Sequence, residues 1–178
     1  MKLRDITDEV VMKAIQDFYD HMSGFLNSIA RLVANQSYSL PRTPRRLGNA
    51  EFQYFYAVDL YEIFNYARGR QQMSPSYVEQ KCSDLMEMLH TTALGRRVDP
   101  DWATFSDTPI GLAILASGAR ISLRRDEGTI TRPEVLVLSA WTDKNLERSG
   151  LVRIEGVEDE RYQSADVRKA FQSQGIAV

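Results

Sequence analysis

One cysteine, Cys82, and two histidines, His21 and His90, are all that 178 residues offer of those types. A lone cysteine excludes an internal disulfide, and a reducing, cytoplasmic setting is the expectation that follows. Cys82 itself is expected to be a buried structural thiol. So few Cys and His leave no paired spacing of the kind that holds zinc. No GxxxxGK[ST], GxGxxG or GxSxG motif occurs, and no pair of carboxylates stands out. His21 and His90 both fall inside stretches of apolar helical periodicity, where histidines are more often structural or surface residues than catalytic ones. No catalytic residue, metal site or cofactor is therefore expected, and an enzyme is the least favoured class.

A bias of charge is also missing. Twenty-two Lys and Arg against 24 Asp and Glu leave a formal charge of -2. Any nucleic-acid binding must then come from local basic patches. No window approaches the roughly 18 consecutive apolar residues of a membrane-spanning helix. The opening MKLRDITDEVVMKAIQDFYD is too acidic for a signal peptide and lacks an uninterrupted apolar core. Internal repeats and low-complexity tracts are absent from the sequence. What is present is ordinary: 43% hydrophobic and 26% charged residues, enough for one compact domain or two small ones.

The clearest periodicity runs over residues 8 to 34. Val11, Ile15, Phe18, Met22, Phe25, Ile29 and Leu32 alternate steps of four and three, an a/d seam over three heptads. Two readings follow: a helix packed on this chain's own core, or one that also pairs with a second copy through those seven residues. Val10, Ala14, Tyr19, Leu26, Ala30 and Val33 widen the stripe, which favours a bundle. Residues 35 to 49, NQSYSLPRTPRRLGN, break the pattern with two prolines and a glycine. They carry Arg42, Arg45 and Arg46 without an acid, as a solvated loop or as an arm that meets phosphate. Phe52, Phe55, Tyr56, Ile63, Phe64 and Tyr66 recur at helical spacing after Asn49 and read as core. Ser76 is expected to cap a further helix to about residue 94, with Val78, Leu85, Met88, Leu89 and Ala93 inward and Gly95 as its stop.

Residues 96 to 109 lose all period and mark a boundary, pinned by Trp102 and Phe105. The expected organisation is a helical dimerisation or docking domain over 1–98, a linker over 99–108 and a second domain over 109–178. Thr108 and Pro109 open a helix running to about Asp126 and ended by Gly128; a strand over RISLRR competes, because Gly118 can break the helix. Thr131 and Glu134 form a T-x-x-E capping box for a helix to about Ala140. Thr142 caps a short helix through Arg148, stopped by Ser149-Gly150. Residues 151 to 163 alternate as a small β-hairpin around an acidic turn, and Ser164 or Asp166 opens a last helix ended by Gly175.

The stretch ITRPEVLVLSAWTDKNLERSGLVRI with the following RYQSADVRKAF resembles the excisionase/MerR-like DNA-binding superfamily over residues 129 to 175. The resemblance implies a mainly α protein, an N-terminal helical bundle followed by a small winged helix-turn-helix with a short β-hairpin. It places Thr142 to Leu146 at the start of a recognition helix and Trp141 in the turn, where the family prefers a small residue. It implies a bacterial or phage DNA-binding protein, a transcriptional regulator or mobile-element accessory factor, acting on duplex DNA as a homodimer. Lys144, Asn145 and Arg148 would lie on the exposed side of that recognition helix with Leu146 inward, Asn145 toward an adenine edge and Lys144 or Arg148 toward guanine or phosphate. Arg153 and Arg161 would flank the wing and touch the backbone or minor groove; Arg132, and Arg42, Arg45 and Arg46 of the earlier loop, complete the candidates for DNA contact. Residues 120 to 178 hold ten basic and ten acidic residues, so charge must be sorted onto one face. The alternative is a non-catalytic assembly subunit that uses the winged helix and the heptad helix as docking surfaces for protein.

Overall fold

The computed structural model describes residues 2–34, 57–90, 105–125 and 128–176, with the side chains of residues 21–23, 25–34 and 57 outside that description. Within these residues the chain is mainly helical, with one small antiparallel sheet of two strands. After a 3-10 turn at Leu3–Asp5 come α1 (Asp8–Ala34), α2 (Ala57–Ala67), α3 (Pro75–His90) and α4 (Pro109–Arg124). Then follow β1 (Thr129–Thr131), α5 (Arg132–Ser139), α6 (Asp143–Arg148), β2 (Arg161–Gln163) and α7 (Ser164–Ser173). No described helix is long and apolar enough to cross a membrane.

The central element is α4. Thr108 caps it by accepting from the Gly111 N–H at 3.1 Å, and Pro109 occupies the first turn, where a missing N–H costs nothing. Gly111 is required there, since a Cβ would fall 2.0 Å from the Phe105 carbonyl oxygen. Gly118 does not divide the helix, which continues through Arg124 rather than forming a strand over RISLRR. The reason is burial along its length: Leu112, Ala113 and Ala116 join one hydrophobic cluster, while Ala119 and Leu123 join another. The first cluster gathers Val11, Ile15 and Phe18 of α1, Leu60, Ile63 and Phe64 of α2 and Leu85 of α3. The second gathers Ile130, Val135, Leu146, Tyr162, Val167 and Phe171. One helix thus supplies apolar side chains to the N-terminal helices and to the C-terminal third alike. Of the boundary expected at 99–108, residues 99–104 lie outside the described residues.

The seam of α1 is used inside the chain over its described half. Val11 and Ile15 are 0% exposed and Phe18 is 3% exposed, which leaves these three no surface to offer a second copy. The side chains of Met22, Phe25, Ile29 and Leu32 lie outside the described residues, as do Asn49, Phe52, Phe55, Tyr56, Ala93 and Gly95. Ile63, Phe64 and Tyr66 are core. One expected cap moves. Ser74, not Ser76, accepts from the Tyr77 N–H at 3.3 Å, with Pro75 as the first helical residue of α3. Ser164 opens α7 as its first residue, one of the two starts expected, and is buried there.

The sheet also differs from expectation. Residues 151–163 do not pair into their own hairpin. β2 pairs instead with β1, with Ile130 opposite Tyr162, and residues 151–154 contribute only a bond from the Ile154 N–H to the Arg161 carbonyl at 2.9 Å. Ile130 and Tyr162 sit on the same face of the sheet and are both buried, so this pairing seals the second cluster, which a local hairpin would leave open.

Candidate nucleic-acid interface

The capping box at Thr131 and Glu134 fixes the start of α5. The Glu134 Oε2 accepts from both the Thr131 N–H and the Thr131 hydroxyl, each at 2.8 Å. α5 ends at Ala140, whose φ of 55° is left-handed and whose N–H returns to the Leu136 carbonyl at 3.1 Å. That turn sends the chain into Trp141. The indole lies edge-on to Phe171, 5.4 Å between ring centroids and 81° between planes. A large residue is accommodated in the turn because it packs on α7, in the second cluster.

α6 is a six-residue helix held at both ends. The Thr142 hydroxyl accepts from the Asn145 N–H, and the Asn145 Oδ1 accepts from the Thr142 N–H at 3.2 Å and from the Thr142 hydroxyl. Leu146 faces inward and is 4% exposed. Gly150 closes the far end at φ 77°, a conformation glycine adopts without strain.

The residues expected to touch DNA separate into three groups. Lys144, Arg148 and Arg153 are exposed and have no hydrogen-bond or ion-pair partner among the described residues. Lys144 and Arg148 stand four positions apart on α6 and so lie on one side of it. Three others are committed within the protein. Arg132 reaches Asp143 at 2.6 Å and Glu160 at 3.7 Å. Arg161 lies 3.5 Å from Asp159 and donates to the Thr129 hydroxyl at 3.3 Å. The Asn145 carbonyl oxygen is occupied by its own helix cap, so a two-bond grip on adenine would need the cap to open. Arg42, Arg45 and Arg46 lie outside the described residues.

These commitments change the local electrostatics. Residues 129–176 carry seven basic and eight acidic side chains. Arg132 and Arg161 set their charges against Asp143, Glu160 and Asp159. Glu160 is occupied further by the phenol of Tyr162, which donates to it. Burial, then that bond, push the Tyr162 phenol up to about 12. Glu147, Glu155 and Glu158 remain exposed as well, Glu147 adjoining Arg148 in the chain and Glu155 two residues from Arg153. Glu147 and Arg153 line one cleft of about 310 Å³ between α6 and the segment that follows it. Beside Arg153 stands Val152, 77% exposed.

Sequence reasoning found Thr131, Glu134, Thr142 and Leu146 in their roles. It missed the capping role of Asn145, although Thr142-x-x-Asn145 is spaced as a capping box. It also missed the ion pairs of Arg132, whose partners are 11 and 28 positions away. Among the described residues no group of three or more His, Cys, Asp or Glu is placed to hold a metal. No family model, no curated protein and no solved structure matches the chain.

Proposed function

We propose that the chain is a duplex-DNA-binding protein whose C-terminal third acts as a winged helix-turn-helix, with α5 as the first helix and α6 as the one offered to the major groove. The observation that carries this reading is the pair Lys144 and Arg148, exposed and one turn apart on a helix anchored from behind by Leu146. A long cation held only by its backbone can reach a guanine edge or a phosphate at little cost. The engaged pairs of Arg132 and Arg161 support it, because they neutralise acids that would otherwise repel phosphate. Arg153 would add a backbone contact beside the helix. A dimer would set two such helices on half-sites about one or more DNA turns apart.

A second reading is favoured by Val152. Val152 and Val157, both exposed in the segment that also carries Glu155 and Glu158, would suit the rim of a surface that seats a protein partner. The chain would then be a non-catalytic assembly subunit. Fluorescence anisotropy with a labelled mixed-sequence duplex separates the two. The DNA reading expects the double variant Lys144→Ala, Arg148→Ala to lose about tenfold or more in affinity while Val152→Ser keeps it. Equal affinity in the parent and the double variant would remove α6 from the interface.

A further inference from the structure

Four arginines from three parts of the chain meet on the side of α5 that faces the N-terminus. Arg4 comes from the 3-10 turn, Arg68 and Arg70 from the end of α2, and Arg120 from α4. They line a cleft of about 350 Å³, and no Asp or Glu is among its described lining residues. Its remaining walls are apolar, with Val137 and Leu138 of α5 and Ile176 beyond α7 prominent.

Among the described residues two carboxylates stand against the four guanidinium groups, Asp5 at 3.8 Å from Arg4 and Asp8 shared by Arg68 and Arg70, which leaves positive charge in the cleft. Arg68 has a side chain 6% exposed and gives its Nη1 to Asp8 at 2.6 Å and to the Ile6 carbonyl at 3.3 Å, and its Nη2 to Asn65 at 2.9 Å. Its buried Nε has no hydrogen-bond partner among the described residues. Arg70 reaches the same Asp8 oxygen at 2.8 Å, so two guanidinium groups share one carboxylate oxygen. Arg120 is buried and spends its Nε on the Ala67 carbonyl at 2.9 Å, closing the end of α2. Gly69, at φ 71°, lets that guanidinium come close; a Cβ there would meet its Nη2 at 3.0 Å. Burial and the neighbouring Arg124 charge lower the Arg120 pKa from its usual value. Arg68 and Arg120, recessed behind the exposed Arg4 and Arg70, gain most from an anion that arrives without its water.

We infer that this cleft is a binding site for a small organic anion, a phosphate or carboxylate group carried on an apolar body. The charged group would sit on Arg68, Arg70 and Arg120, and the apolar body against Val137, Leu138 and Ile176. Duplex phosphates are the wrong shape for it, because Arg68 and Arg120 lie below the surface that a DNA backbone could touch. The site stands independently of the DNA reading.

The probes are inorganic phosphate and phenyl phosphate, titrated into the full chain at constant ionic strength while the arginine Nε–Hε signals are followed by NMR. The expected result is saturable shifts of Arg68, Arg70 and Arg120, with phenyl phosphate at least about fivefold tighter because the apolar wall is covered as well. Arg70→Gln, at an exposed position that the core does not depend on, should weaken both probes about tenfold with an unchanged circular dichroism spectrum. Shifts that never saturate, equal affinity for the two probes, or full affinity in Arg70→Gln would overturn the assignment. So would displacement of phenyl phosphate by duplex DNA, which would make the cleft part of a nucleic-acid surface.

Discussion

Cys82 and Asp8 show how single residues report on the packing around them. Burial pushes the Cys82 thiol up to about 12, from an ordinary value of 9.0. At pH 8 its thiolate should be roughly a thousandfold scarcer than that of an unperturbed cysteine. Labelling by a disulfide reagent should therefore be slow in the native protein and fast in denaturant; similar rates in both would place the thiol at the surface. Asp8 shifts the other way. The hydrogen bond from Arg68, helped by that from Arg70, holds its carboxyl below the ordinary 3.8 despite some desolvation. A carboxyl lowered on folding stabilises the native state above its unfolded pKa, and that contribution is lost as pH falls through the lower folded value. In a pH series of thermal melts, Asp8→Asn should therefore show a smaller loss of stability below about pH 4 than the parent. An acid limb as steep as the parent's would show that the clamp contributes nothing.

At the level of elements, what lies close in sequence was legible. Thr108-Pro109 and Thr131-x-x-Glu134 mark helix starts with bonds that span three residues, so the signal and its effect share one stretch of chain. β1 was invisible for the opposite reason. It is three residues long, and its partner lies about thirty positions away at β2. Pairing there is decided by the burial of Ile130 and Tyr162, not by alternation within residues 151–163. The turn between α5 and α6 was legible as a turn, but its left-handed residue was not, because Ala140 carries none of the usual marks. That strain makes a prediction. Ala140→Gly should stabilise the protein by about 1 kcal/mol, since an alanine pays for a left-handed φ that glycine adopts freely. Chemical denaturation of the two proteins measures it, and a destabilised variant would contradict the backbone geometry of the turn.

Across the whole molecule, α4 ties the ends of the chain together by contributing to both hydrophobic clusters. Its opening was clear from Thr108 and Pro109, but its double role was not, because periodicity says which residues are buried and not what covers them. The candidate interface follows the same rule. The sides taken by Lys144, Arg148 and Leu146 were expected from the resemblance of one continuous stretch, whereas the engagement of Arg132 with Asp143 and Glu160 depends on chain segments brought together by folding. The arginine cleft, assembled from the 3-10 turn, the end of α2 and α4, left no trace in any one stretch. The central claim is that α6 carries cations to the DNA backbone and bases, and the salt dependence of binding tests it most directly. For the parent chain and a mixed-sequence duplex, log K should fall linearly with log salt, and the slope should become shallower by about 1 in Arg148→Ala if that side chain meets a phosphate. No detectable binding at the lowest salt, or a slope that Arg148→Ala and Lys144→Ala both leave unchanged, would contradict the account.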